Sequence, residues 1–226
     1  MWTRLFGTDL TRWILAARCP PGPLKSYYRV DTPTADTPYT RAEFLAVDIE
    51  TTGLARDDEI VSIGFVPVIE GRVRLAAAER LLVRPGRPVG DAAAKVHGLL
   101  DDRLAAAGPL DAALARLLAA LAGRIPIAHH AAVERAFLSR ACRAAYGHPL
   151  VTPWVDTLAL AKRNGTRGNA VLASGELRLS SCRRRRGLPR HRSHDALADA
   201  LACAELFLAE AAACSGKAPA PLRDLL

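Results

Sequence analysis

Two carboxylates, Asp48 and Glu50, stand at the end of an otherwise apolar run that begins at Phe44. An apolar run of that length, bounded by turn residues, reads as a buried strand. On a strand, residues two apart point to the same face, so these two acids lie side by side. Such a pair is unfavourable unless a proton or a cation sits between the charges. Hard divalent ions such as Mg²⁺ and Mn²⁺ prefer oxygen ligands, and a metal is the natural resolution. Two solvated acids closing a strand would leave the same hexamer, Asp48-Ile49-Glu50-Thr51-Thr52-Gly53.

The pattern around that strand indicates an α/β domain. Residues 60–69 read as a second strand, closed by the turn signal Glu70-Gly71. Residues 73–83 read as a third, ended by Pro85-Gly86, and short turns make the three an antiparallel meander. Helical spacing then takes over at residues 110–121, behind Pro109. A short strand at 125–128 is followed by a helix at 131–146 and a strand-to-helix passage at 155–162. A Gly/Asn/Ser-rich loop spans 164–175, and helices follow at 177–186 and 196–213. The expected architecture is a mixed five-stranded sheet flanked by helices. We expect the domain over residues 43–213 and a flexible tail over 214–226. Ahead of it, residues 1–42 read as an arm, with a short amphipathic helix near 9–18 and a connector stiffened by Pro33 and Pro38. Such an arm docks on the domain or on a partner protein that nothing in it identifies.

The 226 residues suffice for one well-buried domain. A formal charge of +8 points to a polyanionic partner, nucleic acid first, although general overuse of Arg would give the same excess. Five widely spaced cysteines form neither a disulfide framework nor a C-x-x-C site. They read as reduced thiols of a cytoplasmic protein. No apolar run approaches the length of a membrane span.

Two further constellations carry chemistry. In His194-Asp195-Ala196-Leu197-Ala198-Asp199, Asp199 opens an amphipathic helix with Leu197, Leu201, Ala204 and Leu208 at helical spacings. His194 lies five residues before Asp199, an offset of about 140° on an ideal helix, so it belongs at the helix start or in the loop ahead. A capping or surface histidine is the plain alternative. Between these ends, His129-His130 closes a strand and Glu134 enters the next helix beside Phe137 and Leu138. A carboxylate bordering a packed face is costly unless paired or metal-linked, and Arg135 is one available partner. Finally, Arg183-Arg184-Arg185-Arg186, continued by Arg190 and Arg192, either grips a phosphate backbone near His194 or forms the solvated face of a helix.

In this order, over about residues 44–208, the motifs resemble those of the DEDDh exonucleases. Asp48 to Gly53 resembles the first exonuclease motif, residues 129–138 the second, and His194-x-x-x-x-Asp199 the third. Val96-His97-Gly98-Leu99 and Val155-Asp156-Thr157-Leu158 are lesser matches. One departure stands out. Where the family usually has His-Asn and then Asp four residues on, this chain has His130 and Glu134.

The resemblance implies a ribonuclease H-like fold and a two-metal 3′→5′ exonuclease using Mg²⁺ or Mn²⁺. It implies Asp48, Glu50, Asp199 and Glu134 as metal ligands and His194 as the base that takes a proton from water. It further implies Thr51, Thr52, Gly53 and Leu54, with His97, around the terminal nucleotide. Single-stranded DNA 3′ ends are the favoured substrate. RNA trimming is the sister reading, and a binding module with decayed catalysis is the third. A short Ala/Pro/Lys segment after Glu210, without a glutamine-led hydrophobic peptide, suggests a stand-alone or differently tethered exonuclease. The oligomeric state is left open.

Overall fold

Strand β1 (Phe44–Thr51) has apolar side chains on both faces and takes the middle of a mixed sheet. The computed structural model describes residues 3–87, 89–90, 98–99, 101–165, 175–191 and 193–226. Beside β1, β2 (Ile60–Ile69) pairs antiparallel, with Asp48 opposite Gly64 and Glu50 opposite Ser62. On its other side β5 (Ile125–Ala128) pairs parallel, and β6 (Val155–Asp156) adds parallel to β5.

The third strand expected over 73–83 is broken. Two short strands, β3 (Arg72–Val73) and β4 (Glu79–Leu82), share one edge of β2, with a 3₁₀ turn at Leu75–Ala77 between them. Three successive alanines, 76–78, offer little side chain to pack on a pleated surface, so pairing lapses there. Among the described residues the sheet therefore has six strands rather than five.

Helices cover both faces. Even-numbered residues of β1 face α8 (Ala196–Cys214), where Phe44 and Ala46 pack with Phe207, Ala204 and Cys203. Odd-numbered Leu45, Val47 and Ile49 face α4 (Leu110–Leu121) and α5 (Ala132–Tyr146), against Leu114, Leu117, Phe137 and Leu138. Helix α3 (Asp101–Ala105) precedes α4. Helix α6 (Thr157–Gly165) follows β6 directly, and α7 (Leu179–Arg185) packs on α6 and α8.

Described residues on both sides of the expected domain belong to this body. Helix α1 (Thr3–Arg18) is longer than expected, and α2 (Pro23–Tyr28) forms in a part of the arm where no helix was expected. Pro is tolerated in a first helical turn because it forfeits no hydrogen bond there, which is how a Pro-rich segment can open α2. Leu24, Tyr27 and Tyr28 are buried in the same core as Leu117. Buried Arg12 donates to the Tyr27 hydroxyl at 2.5 Å and lies over its ring. The tail expected to be flexible is packed instead. Leu222 and Leu225 are buried beside Phe207, and Tyr39 and Leu222 donate backbone hydrogen bonds to Ala220 and Thr37. The five cysteines are free, four of them buried. Among the described residues no helix is long and apolar enough to cross a membrane.

Candidate metal centre

Strand register decides where the acids stand. β5 pairs with β1 only over Phe44 to Ala46, so Asp48 and Glu50 extend past the end of β5. The carboxyl ends of β1, β5 and β6 thus open one crevice, the usual ligand position in such sheets. Asp48 and Glu50 share the α8 face with Phe44 and Ala46, by the strand period.

Helix α8 brings the third acid. A Cβ at Gly64 would lie 2.2 Å from the Ala196 carbonyl carbon, so only glycine allows the start of α8 to rest on β2 there. Asp195 caps that start, accepting from the Leu197 and Ala198 amides at 3.2 Å each. Its second oxygen accepts from Arg80 of β4 at 2.6 Å. Arg80 is paired across the sheet with Gly64, and Gly64 with Asp48, so one cross-strand row registers the helix over the acids. Asp199, in the first turn, then meets Asp48 and Glu50 with ligand atoms all within 4.8 Å of one another.

The fourth acid comes from α5. Glu134 is 5% exposed, and its Oε2 has no hydrogen-bond partner among the described residues. It is therefore not the surface pair with Arg135 that the sequence allowed. Burial, then the Asp156 charge, pushes its carboxyl up to about 8. Burial pushes Glu50 to about 7, helped by Asp199 and Asp195. Asp48 is raised well above the ordinary carboxylate range by burial, then by the charges of Glu134, Asp199 and Glu50. Four acids facing one another without an ion pair to Asp48, Glu50 or Glu134 among the described residues form a set in deficit of positive charge. An all-oxygen donor set with an orphaned buried carboxylate oxygen fits hard divalent ions.

His194 lies in the loop before α8, with φ of 64° and an exposed side chain. Its backbone N–H donates to Asp199 Oδ2 at 2.6 Å. A second histidine escapes the sequence reading. His191 Nε2 lies 2.8 Å from Asp199 Oδ1, with its ring largely buried. Only its place three residues before His194 could have drawn attention to it. His130 also adopts a left-handed conformation, φ 68°, where Asn is otherwise favoured, and its amide donates to Asp156 at 2.9 Å. His129 bridges Thr157 Oγ1 and the Leu177 carbonyl.

The loop after β1 is tied down by one acid. Asp58 accepts from Thr52 Oγ1 at 2.8 Å and from the Ala55 amide at 2.6 Å. A Cβ on Gly53 would stand 2.4 Å from Asp58 Oδ2, so glycine is required for this closure. Thr51 Oγ1 donates to the Gly53 carbonyl at 2.6 Å. Leu54 is left 78% exposed at the tip. His97 and Arg192 lie outside the described residues.

The arginine run does not act as a unit. Arg183 is buried and spent on Glu205, the Ala202 carbonyl and the Pro189 carbonyl. Arg186 pairs with buried Glu210, and Arg185 donates to the Glu176 carbonyl at 2.7 Å. Arg184 and Arg190 remain exposed.

Comparison with known proteins agrees with this geometry. The sequence profile of the RNase_T exonuclease family matches residues 45–207. A DNA polymerase III of PolC type from Thermotoga petrophila is 30% identical over 174 residues, covering 76% of this chain. A DNA polymerase III subunit epsilon-like protein from Rhodobacter capsulatus is 32% identical over 179 residues, covering 77% of it. The chain spans only 12% and 24% of those two proteins' lengths. Among solved structures, exonuclease X in complex with 5′ overhanging duplex DNA shares the fold at a TM-score of 0.58 and 24% identity. That match covers 77% of this chain and 95% of the other.

Proposed function

The chain belongs to the RNase_T exonuclease family, and we propose that it hydrolyses terminal phosphodiester bonds of single-stranded DNA from the 3′ end, releasing nucleoside 5′-monophosphates. One observation carries the reading: Asp48, Glu50 and Asp199 converge within 4.8 Å beside buried Glu134, whose Oε2 has no hydrogen-bond partner among the described residues. Asp48, Glu50 and Asp199, with Glu134 beside them, would hold two divalent ions, Mg²⁺ or Mn²⁺. Bound there, such ions would supply Lewis-acid activation of water and offset charge on the attacking and leaving oxygens.

The remaining work falls to the chain's own side chains. His194, exposed at the start of α8, is the base that accepts the proton of the attacking water. Its backbone N–H, with the His191 ring, holds both oxygens of Asp199 and so fixes that carboxylate's direction. A competing assignment gives the proton to His191, because its ring is the one in contact with Asp199. Thr51, Thr52 and Gly53 present a closed loop to the terminal nucleotide, and exposed Leu54 packs against its base. His97 is proposed to border the same pocket. The polymerase III names of two relatives support DNA over RNA.

The test is a time course on 5′-labelled oligonucleotides: single-stranded DNA, duplex DNA and RNA, each with Mg²⁺ or Mn²⁺ and with chelator. The reading expects a ladder shortening from the 3′ end on single-stranded DNA, abolished by chelator. Faster shortening of RNA would move the assignment to RNA trimming, and binding without cleavage would overturn it.

A further inference from the structure

A concavity of about 300 Å³ opens between α7 and the loop leading to α8, lined in part by Ser180, Arg184, Arg190 and His191. His191 belongs to two places at once. Its ring walls this concavity, and its Nε2 touches Asp199 of the acidic cluster. The basic wall is therefore one side chain away from the carboxylates.

What distinguishes this wall is which guanidinium groups are spent. Arg183 and Arg186 are committed to Glu205 and Glu210, and so hold α7 against α8. The guanidinium groups of Arg184 and Arg190 are exposed and make no hydrogen bond or ion pair among the described residues. Structural need explains the first pair and leaves the second unexplained. Two unpaired like charges around one hollow repel each other unless an anion shares them. A strand approaching four carboxylates also needs positive charge outside that cluster to offset repulsion of its phosphates.

We propose that Arg184 and Arg190, with Ser180 at the same wall, form a backbone-phosphate subsite for the strand trailing from the acidic cluster. The inference rests on the nuclease reading for its location beside the cluster, and it adds a second contact zone that reads phosphates rather than bases. Such contacts show as salt dependence, since each phosphate neutralised on a single strand contributes about 0.7 to the slope of log K against log salt.

The experiment measures binding of fluorescent single-stranded DNA of 3, 6 and 12 nucleotides by anisotropy. Chelator is present so that cleavage cannot consume the probe, and the salt concentration is varied. The wild type is compared with Arg184→Ser/Arg190→Ser and with a charge-matched control, Arg29→Ser/Arg72→Ser, whose arginines are exposed elsewhere. The subsite predicts about tenfold weaker binding of the 12-mer by the first pair, and a slope reduced by about 1.4 for two lost contacts. Thymidine monophosphate in place of the oligonucleotides separates a strand subsite from a site for free phosphate or product. The proposal expects the difference between variants to grow with strand length. The proposal is overturned by an equal change in both pairs, by a length-independent difference, or by no wild-type binding. Both substituted side chains are exposed, so melting should move by only about 1–2 °C. Whether the wild type cleaves with metal is read separately, so failure of the nuclease assignment and failure of the subsite give different results.

Discussion

At the scale of single residues, the two histidines beside Asp199 carry the sharpest question. A general base contributes about 10²–10⁴-fold to rate. His194→Ala should therefore lose activity by that factor, together with the acidic limb of its pH–rate profile. His191→Ala should weaken metal affinity by about 10–100-fold, as expected for a group orienting a ligand, and keep the limb. Loss of the limb in His191→Ala alone would transfer the role of base to His191. Asp48 and Glu50 were legible in the sequence because a strand's period of two leaves no freedom in where alternate side chains point. Asp199 was legible from its place after His194 at a helix start, although the stripe expected through Leu197, Leu201 and Leu208 is only half-buried and Ala200, Cys203, Phe207 and Ala211 are the buried side chains. His191 was not, because a loop has no period, and its ring reaches Asp199 through a backbone path that no spacing encodes. Glu134 was legible as an acid bordering a packed face. Its isolation from Arg135 emerged only with the burial.

At the scale of elements, the centre depends on how closely α8 approaches β2. Gly64 has no side chain to separate them, and Arg80 and Asp195 fasten the helix start. Gly64→Ala places a methyl inside the Ala196 backbone, so α8 must shift. Overpacking of that kind costs about 1–3 kcal/mol. For a domain of this size that lowers Tm by about 2–10 °C, and activity should fall with Asp199 displaced. Thermal melts and cleavage rates measured together check this, and an unchanged rate would separate the helix position from the chemistry. Long periodic elements were readable: β2 and α4 lie where their patterns put them. The misses came where local signals conflict with packing. The arm ahead of residue 43 read as one short helix and a Pro-rich connector, yet Leu24, Tyr27 and Tyr28 gain enough burial for α2 to form and dock. Residues 214–226 read as a tail by composition, yet three apolar side chains, Ala220, Leu222 and Leu225, find the core.

At the scale of the whole molecule, the fold is a frame that holds four carboxylates in a charge deficit. That deficit makes stability depend on metal and pH together. Glu50 and Glu134, ordinarily near 4.5, are raised to about 7 and about 8 in the folded chain. A raised carboxyl favours folding below its unfolded value, and that contribution is lost as pH rises through the folded value. His129, lowered by burial, acts in the opposite sense, but below its ordinary 6.5. The interval from about pH 6.5 to 8 therefore isolates the acids. Metal competes with the protons there, so its stabilisation grows as pH rises. The decisive measurement is Tm of the full chain across that interval, metal-free and with Mn²⁺, for the wild type and Asp48→Asn. We expect the metal-free wild type to lose Tm with rising pH. At about a hundredfold over its dissociation constant, Mn²⁺ should add about 2.7 kcal/mol, or about 5–10 °C, at pH 8. It should add less at pH 6.5 and little in Asp48→Asn. A wild-type Tm indifferent to Mn²⁺ at pH 8, or an equal rise in Asp48→Asn, would contradict the assignment of these carboxylates as a metal centre.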